Sequence, residues 1–184
     1  QDLLALIDTL SPGEPVSAIG SSMGTGTLLH AVLAAPQRFD QLVLAAPPTA
    51  WQTRAAQADL YRAGATAIAE HGLQALAAAA ASAPVPPVFA GLRDFPPAPD
   101  VAAELLPSIM RGAADSDLPA PERLRGIDQP VLVLAWEGDP GHPVSTAEEL
   151  AGLIPGARLV IARTPEELAG WGAAAAAFLA RPRG

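Results

Sequence analysis

Five consecutive residues near the amino terminus have the types and spacing that a serine nucleophile needs. They read Gly20-Ser21-Ser22-Met23-Gly24 and stand between a short apolar run and a helical stretch over 28–35. A Gly-x-Ser-x-Gly turn at such a place is typical of a nucleophile elbow, in which a strained backbone holds the serine hydroxyl out over the strand end. The motif predicts that both of its glycines must lack a side chain, and that the Met23 N–H points toward a developing oxyanion. A glycine-rich turn without a chemical role is the alternative.

A second pair of candidate residues follows the apolar run over 131–135. Asp139 comes shortly after this predicted strand, and His142 lies three residues further on. A serine hydroxyl is a weak nucleophile unless a neighbouring base takes its proton, and a third group commonly orients that base. His142 is a candidate for the base, with an ordinary loop residue as the alternative. Asp139 is a candidate for the orienting acid, with a turn residue before Pro140 as the alternative.

The two remaining histidines are poorer candidates for the base. His30 lies eight residues beyond Ser22 on the same predicted helix, about 12 Å along its axis. We therefore expect His30 to be a packed or hydrogen-bonded helix residue. His71 lies at a predicted helix break, where an exposed loop position is a better interpretation than a group that closes over a site.

No motif predicts a metal ion or a cofactor. The chain has no Cys, and its acidic loop residues lack the spacing of metal ligands. These residues are predicted to be solvated charges in polar or proline-rich connections: Asp94, Asp100, Asp115 and Asp117. The run Gly24-Thr25-Gly26-Thr27 is not a phosphate-binding loop, because no Lys follows it.

Composition limits the class of protein and of partner. The 184 residues are 50% hydrophobic and carry a net charge of −8, which predicts a single globular domain and argues against nucleic acid or an anionic membrane as partner. No apolar run is long enough for a transmembrane helix. No signal peptide is visible, which favours the cytoplasm, but the chain begins with Gln1 rather than Met and the natural N-terminus is left open.

The pattern of apolar residues predicts an α/β fold with a parallel sheet of about four strands, flanking helices and a helical cap insertion. The strands are expected near 15–20, 41–46, 130–136 and 157–162, as parallel neighbours in that order. The two central runs are continuously apolar, as in sheets covered on both faces. Helices are expected over 2–10, 25–35, 145–153 and 165–179. The third of these is predicted to begin with a capping box between Ser145 and Glu148.

Three regions are predicted along the chain. Residues 1–46 form a core part with the elbow, residues 47–126 a helical cap, and residues 127–184 a core part with the acid loop and the last strand and helix. The cap is expected to hold alanine-rich helices near 53–70, 72–81 and 102–111, separated by proline-rich breaks. Its aromatic residues are candidates to line an apolar pocket or to pack between cap and core: Trp51, Tyr61, Phe89 and Phe95.

The elbow, the inserted helices and the segment Gly138-Asp139-Pro140-Gly141-His142-Pro143 together resemble the α/β-hydrolase fold family. The resemblance covers nearly all of the chain, but only the second half of that fold. It implies that Ser22 is the nucleophile and that the Met23 N–H is one oxyanion donor. It also implies that Asp139, with Pro143 four residues later, is the acid of a catalytic triad.

Two features depart from the family pattern. The family has about four strands before the elbow, and a loop there supplies the second oxyanion N–H, whereas one predicted helix precedes the elbow strand here. That strand would be a bare apolar edge, so we expect a missing N-terminal half of the fold, or another chain, to cover it. The family's catalytic histidine follows the last strand, where this chain reads Arg163-Thr164-Pro165-Glu166-Glu167. We therefore expect the triad to be incomplete.

Together these residues favour a serine hydrolase that acts on ester or related acyl bonds of a small to medium apolar substrate, with impaired or incomplete machinery. The partner expected is the small-molecule acyl substrate itself. The alternative is a binding protein of the same fold that performs no catalysis because it lacks the usual histidine.

Overall fold

A computed structural model describes residues 1–75, 78, 85–89 and 100–180 of the chain. Half of the predicted helix over 72–81 lies outside these residues, as do Asp94, Phe95 and the proline-rich break over 96–99. No helix in the described ranges combines the length and apolarity that a membrane crossing requires.

Four parallel strands form the centre of the fold: β1 (Val16–Ser21), β2 (Phe39–Ala45), β3 (Val131–Trp136) and β4 (Arg158–Ala162). They lie in the order β1-β2-β3-β4, and each neighbouring pair is parallel. The predicted strands, their order and their direction are confirmed. The two central strands are almost fully buried, as expected of strands covered on both faces.

The described residues form helices α1 (Asp2–Leu10), α2 (Met23–Ala34), α3 (Arg54–His71), α4 (Leu106–Ala114), α5 (Pro121–Leu124), α6 (Val144–Leu153), α7 (Pro165–Ala169) and α8 (Trp171–Leu179). Short 3-10 segments lie at Pro36–Arg38, Trp51–Thr53, Pro87–Phe89 and Ala103–Leu105. The α/β architecture is thus the predicted one.

Side chains along each strand point alternately to the two faces of the sheet, so the core has one layer on each face. On one face, strand residues such as Leu44 and Val133 pack with Leu29 of α2 and Leu150 of α6, and all four are fully buried. On the other face, Val43 and the strand residues beside it pack with Phe178 of α8. Burial of these large apolar side chains on both faces stabilises the sheet by about 1.5–3 kcal/mol for each side chain.

The first strand is the exposed part of the sheet. Among the described residues, β1 has one hydrogen-bonded neighbour, β2. Ile19 of β1 is in register with the fully buried Val43, yet it is itself 60% exposed. The expected apolar edge is therefore present on the described part of the molecule.

Two helix ends differ from the prediction. The helix after β3 begins at Val144, with Pro143 as its N-cap and no side-chain cap, so Ser145 already lies inside the helix and the predicted capping box is wrong. The last predicted helix is broken at Gly170 into α7 and α8. A capping box does occur at α7, where the Thr164 side chain accepts the N–H of Glu167.

The described part of residues 47–126 contains helices and no strand. Helix α3 packs against α4, and the helix expected near 102–111 begins as a 3-10 segment before it becomes α4. The boundaries 1–46, 47–126 and 127–184 themselves stay a prediction.

The turn between β1 and α2 depends on one glycine rather than two. A Cβ at Gly20 would lie 2.5 Å from the carbonyl oxygen of Gly24, far inside van der Waals contact. A Cβ at Gly24 would meet nothing within 4 Å. The prediction that both glycines must lack a side chain is therefore right for Gly20 and wrong for Gly24, because the close approach concerns one Cα and the other residue's carbonyl.

We expect Gly20→Ala to lower the free energy of unfolding by about 1–3 kcal/mol, the usual cost of forcing atoms into a packed site. The matched variant Gly24→Ala should be neutral or stabilising by up to about 1 kcal/mol, because Ala favours helices over Gly. Urea unfolding of both variants measures the difference. Equal destabilisation by the two substitutions would contradict this account of the turn.

Candidate active site

Ser22 lies in a strained turn between β1 and α2. Its φ is +50° and its ψ −118°, in a region that residues with a side chain rarely adopt. The Ser22 N–H donates to the Ala45 carbonyl oxygen at 2.9 Å, and the Thr25 N–H donates to the Ser22 carbonyl oxygen at 2.9 Å. The expected backbone strain at Ser22, at the carboxyl edge of the sheet, is observed.

Thr25 connects this turn to the end of the neighbouring strand β2. Its side chain is fully buried, and its hydroxyl lies 3.3 Å from both the Gly20 and the Ala45 carbonyl oxygens. A buried hydroxyl in the first turn of α2 is thereby satisfied by the backbone that it holds in place. No local sequence pattern predicts this role of Thr25, since its partner Ala45 is twenty residues away.

The hydroxyl of Ser22 contacts a histidine. Ser22 Oγ lies 2.8 Å from His142 Nε2, and His142 Nδ1 lies 2.7 Å from Asp139 Oδ2. The first distance lies within the reach required of a general base. The structure therefore brings together all three side chains that the sequence singled out. As a matter of geometry, the expectation of an incomplete Ser–His–Asp arrangement is wrong.

The base was expected after β4, but the histidine that reaches Ser22 follows β3. Residues 137–143 form what we call the acid loop, which carries both Asp139 and His142. At the position where the sequence analysis looked for a histidine, Arg163 pairs instead with Glu137, Nε to Oε1, at 2.7 Å. The reach of His142 depends on the path of the acid loop, which residue types alone do not determine.

Backbone contacts set that path. Gly138 has a φ of +86°, and a Cβ there would lie 2.8 Å from Cδ of Pro87, so both conformation and space favour glycine. The His142 N–H donates to the Asp139 carbonyl oxygen at 3.2 Å, which closes a tight turn. The Thr49 N–H donates to the Gly141 carbonyl oxygen at 3.1 Å and ties the loop to the segment that follows β2.

The carboxylate of Asp139 has three donors. Its Oδ1 accepts the Gly141 N–H at 2.8 Å, and its Oδ2 accepts from His142 and, at 3.2 Å, from the Trp136 indole N–H. Burial raises the pKa of this carboxyl. The hydrogen bond and charge of His142, the Gly141 N–H and the indole outweigh burial and hold the pKa below its usual value. Asp139 is therefore ionised at neutral pH and can orient a histidine.

Trp136 is a residue of this site that the sequence analysis missed. Its ring stacks on Trp171 with centroids 5.3 Å apart, meets Phe89 edge-on at 5.0 Å and lies beside the His142 ring at 5.4 Å. An aromatic residue at the end of a strand, three positions before a candidate acid, was the available signal. Phe89 thus packs against the aromatic residue at the end of β3.

The other two histidines lie as expected or nearly so. His71 is exposed at the end of α3, with its Nε2 3.8 Å from Glu70. His30 is hydrogen-bonded, its Nε2 lying 3.1 Å from the Asp117 carbonyl oxygen. Among the described residues there is no cluster of His, Cys, Asp and Glu that could hold a metal ion.

A cavity of about 330 Å³ opens beside Ser22. Its lining includes Met23 at the start of α2, Tyr61 and Arg54 of α3, and residues of the segment after α4. The size is at the small end of the range for ligand pockets, about 300–1,000 Å³. Of the four aromatic residues proposed for a pocket, Tyr61 lines this one, whereas Trp51 packs on the core and donates its indole N–H to Pro119.

The parallel sheet and the helices on its two faces have the arrangement of the α/β-hydrolase fold, and comparison with known structures shows the same fold. A hydrolase from Pseudomonas aeruginosa PA01 superposes with a TM-score of 0.75 at 25% identity, over 98% of this chain and 70% of that one. An enol-lactonase from Burkholderia xenovorans LB400 gives 0.71 at 22% identity, over 98% and 71%. An esterase from Exiguobacterium antarcticum gives 0.73 at 18%, over 98% and 72%. The resemblance inferred from the sequence is confirmed at the level of the fold.

No protein-family model matches the chain, and no curated protein matches its sequence.

We expect Trp136→Phe to raise the pKa of Asp139, because the substitution keeps an aromatic ring but removes the indole donor. A carboxyl with a lowered pKa stabilises the folded state above its unfolded pKa of about 3.9 and loses that contribution as the pH falls through its folded pKa. The destabilisation caused by Trp136→Phe should therefore be larger at pH 7 than below about pH 4, where the Asp139 carboxyl becomes protonated in the wild type as well.

The matched control is Trp171→Phe. Its indole nitrogen is buried and has no hydrogen-bond partner among the described residues, so this variant should lose packing alone, to the same extent at both pH values. Urea unfolding across the pH range, with NMR titration of the Asp139 carboxyl, measures the difference. An unchanged Asp139 pKa in Trp136→Phe would contradict the assignment of the indole as its donor.

Proposed function

We propose that this protein is a serine hydrolase acting on ester or related acyl bonds of a small to medium substrate. The observation that carries the proposal is the hydrogen-bonded chain from Ser22 through His142 to Asp139. Its two links measure 2.8 and 2.7 Å, and it stands beside a cavity able to take a small molecule. The solved neighbours described as an esterase and an enol-lactonase support the same class of chemistry.

In the proposed reaction, the Asp139 carboxylate accepts a hydrogen bond from the Nδ1–H of His142. This bond fixes the proton on Nδ1 and leaves Nε2 free to act as base. The Ser22 oxygen attacks the substrate carbonyl carbon while Nε2 takes the proton of the Ser22 hydroxyl. His142 then returns the proton to the leaving alcohol as the C–O bond breaks, and the acyl group stays on Ser22. Water then attacks the acyl carbon while Nε2 takes its proton. His142 passes that proton to the Ser22 oxygen as the acyl bond breaks, which releases the acid and restores the serine.

The Met23 N–H would stabilise the oxyanion formed in each step. As the first residue of α2, Met23 has an N–H without an intrahelical acceptor, and the helix N-terminus adds a favourable partial positive charge. An oxyanion site normally has two donors. We propose that a polypeptide segment pairing with the exposed edge of β1, beside Ile19, completes the site and covers that edge.

The alternative function is binding without turnover. It is favoured by the single oxyanion donor that can be assigned within the described residues. In that case the cavity beside Ser22 would hold a ligand, and the Ser22–His142 hydrogen bond would be a structural contact.

A fluorophosphonate probe and a short-chain aryl ester distinguish the two. We expect the probe to label Ser22 and the ester to be hydrolysed. We expect Ser22→Ala to abolish labelling, and His142→Ala to lower turnover by about three to six orders of magnitude, because the base is lost. The control His71→Ala removes an exposed histidine outside the site and should leave turnover unchanged.

Absence of labelling and of ester hydrolysis in a folded wild-type protein would favour the binding function. Unchanged turnover in His142→Ala would rule out His142 as the base.

A further inference from the structure

We propose that the cavity beside Ser22 binds an anionic group of the substrate at Arg54, so that the preferred substrates are acyl compounds carrying a second, carboxylate-like end. This inference rests on the proposed hydrolase function for its reactive end. The anion subsite itself depends on the contacts of Arg54.

Arg54 is held rigidly at the start of α3. Its Nε donates to the Ser116 carbonyl oxygen at 2.8 Å, its Nη2 to the Ala113 carbonyl oxygen, and its Nη1 to the Thr49 hydroxyl at 3.3 Å. The guanidinium also lies 5.4 Å from the centre of the Tyr61 ring, within range of a cation–π interaction. These contacts orient the planar group at the cavity wall.

Among the described residues, this guanidinium donates to neutral groups alone, including a long contact of 3.5 Å from Nη2 to the Ser116 hydroxyl. No carboxylate of the described residues lies within 4 Å of it, whereas Arg38, Arg62 and Arg163 each have a carboxylate partner. The side chain is only partly exposed, and a partly buried charge without a counter-charge gains from an anion brought to it. Nη1 carries two hydrogens, and the Thr49 contact uses one of them.

The other ionisable groups that line the cavity do not supply that anion. Asp117 is an exposed residue, and its carboxylate accepts the backbone N–H groups of Trp51 and Leu118. His30 contacts the Asp117 carbonyl oxygen. Because the Asp117 charge is solvated and already bonded, water and salt screen its repulsion of a ligand at Arg54. Asp117 was predicted to be a solvated loop charge, and it is exposed as expected.

The subsite and the reactive serine share one small space. Ser22 and Arg54 line the same cavity of about 330 Å³, with apolar contacts from Met23 and Leu118. A short acyl chain can therefore present its carbonyl to Ser22 and its far end to Arg54. The remaining Nη1 hydrogen and the positive charge of the guanidinium favour a carboxylate over the apolar end of an alkyl chain of equal length.

The test compares aryl half-esters of short dicarboxylic acids with neutral aryl esters of the same length. We expect the wild type to prefer the half-ester. Arg54→Gln should lower kcat/KM for the half-ester by about ten- to a hundredfold, mainly through KM, the size expected for loss of a charged hydrogen bond. Its kcat/KM for the neutral ester should fall by a smaller factor, because only the contacts of Arg54 with Thr49, Ala113 and Ser116 matter there. Arg54→Lys should keep part of the preference, because it keeps the positive charge but loses the contacts that orient the guanidinium.

Two controls separate this subsite from other effects. Arg125→Gln removes one exposed positive charge outside the cavity and should keep the half-ester preference, unless overall charge alone sets it. Circular dichroism melting tests whether Arg54→Gln folds; if it does not, Arg54→Lys and the substrate preference of the wild type decide. Equal losses for both esters in Arg54→Gln would show that Arg54 only holds α3 to the segment after α4, and would overturn the proposal.

A binding measurement separates failure of the subsite from failure of the hydrolase function. Glutarate and its neutral diamide are titrated into isotope-labelled wild type and Arg54→Gln, with NMR shifts as the readout. We expect glutarate alone to shift signals around the cavity, and to do so in wild type but not in Arg54→Gln. Such binding without any ester hydrolysis would sink the hydrolase proposal and keep the subsite. Equal binding to both proteins would overturn the subsite.

Discussion

The carbonyl oxygen of Ala45, at the end of β2, is the acceptor on which the candidate site depends. It accepts the Ser22 N–H at 2.9 Å and lies 3.3 Å from the Thr25 hydroxyl, so both sides of the turn after β1 are fixed to the neighbouring strand. That turn is costly, because Ser22 has a positive φ, and such strain persists only where surrounding contacts over-determine it. The position of the serine hydroxyl thus follows from the pairing of β1 with β2.

The same sheet geometry brings the rest of the site to Ser22. Parallel strands end at one edge, and ligands of such sheets bind outside those ends. The loops after β1 and β3 therefore meet although 120 residues separate Ser22 from His142. The segment after β2 stands between them, and Thr49 contacts the acid loop from it through the Gly141 carbonyl oxygen. The stack of Trp136 on Trp171 stands at the start of that loop.

Most of the fold could be predicted from the sequence, and part of the site. Continuous apolar runs such as 131–135 have few alternatives to buried parallel strands, and the Gly-x-Ser-x-Gly spacing singled out Ser22. What failed depends on neighbours in space. The motif does not reveal that glycine is required at position 20 but not at position 24. The reach of His142 is set by the path of the acid loop. The role of Trp136 follows from an indole that meets Asp139 Oδ2 at 3.2 Å, which no residue pattern encodes.

The placement of Asp139 and His142 in one loop has a consequence for how their contact with Ser22 can be lost. Asp139 and His142 are three residues apart and hydrogen-bonded to each other. They therefore move as one unit, which contacts Ser22 through His142 Nε2. A displacement of residues 137–143 would break the Ser22–His142 contact while the Asp139–His142 pair travels intact. Both residues would leave Ser22 together by this route, whereas two side chains carried by separate loops could be displaced independently.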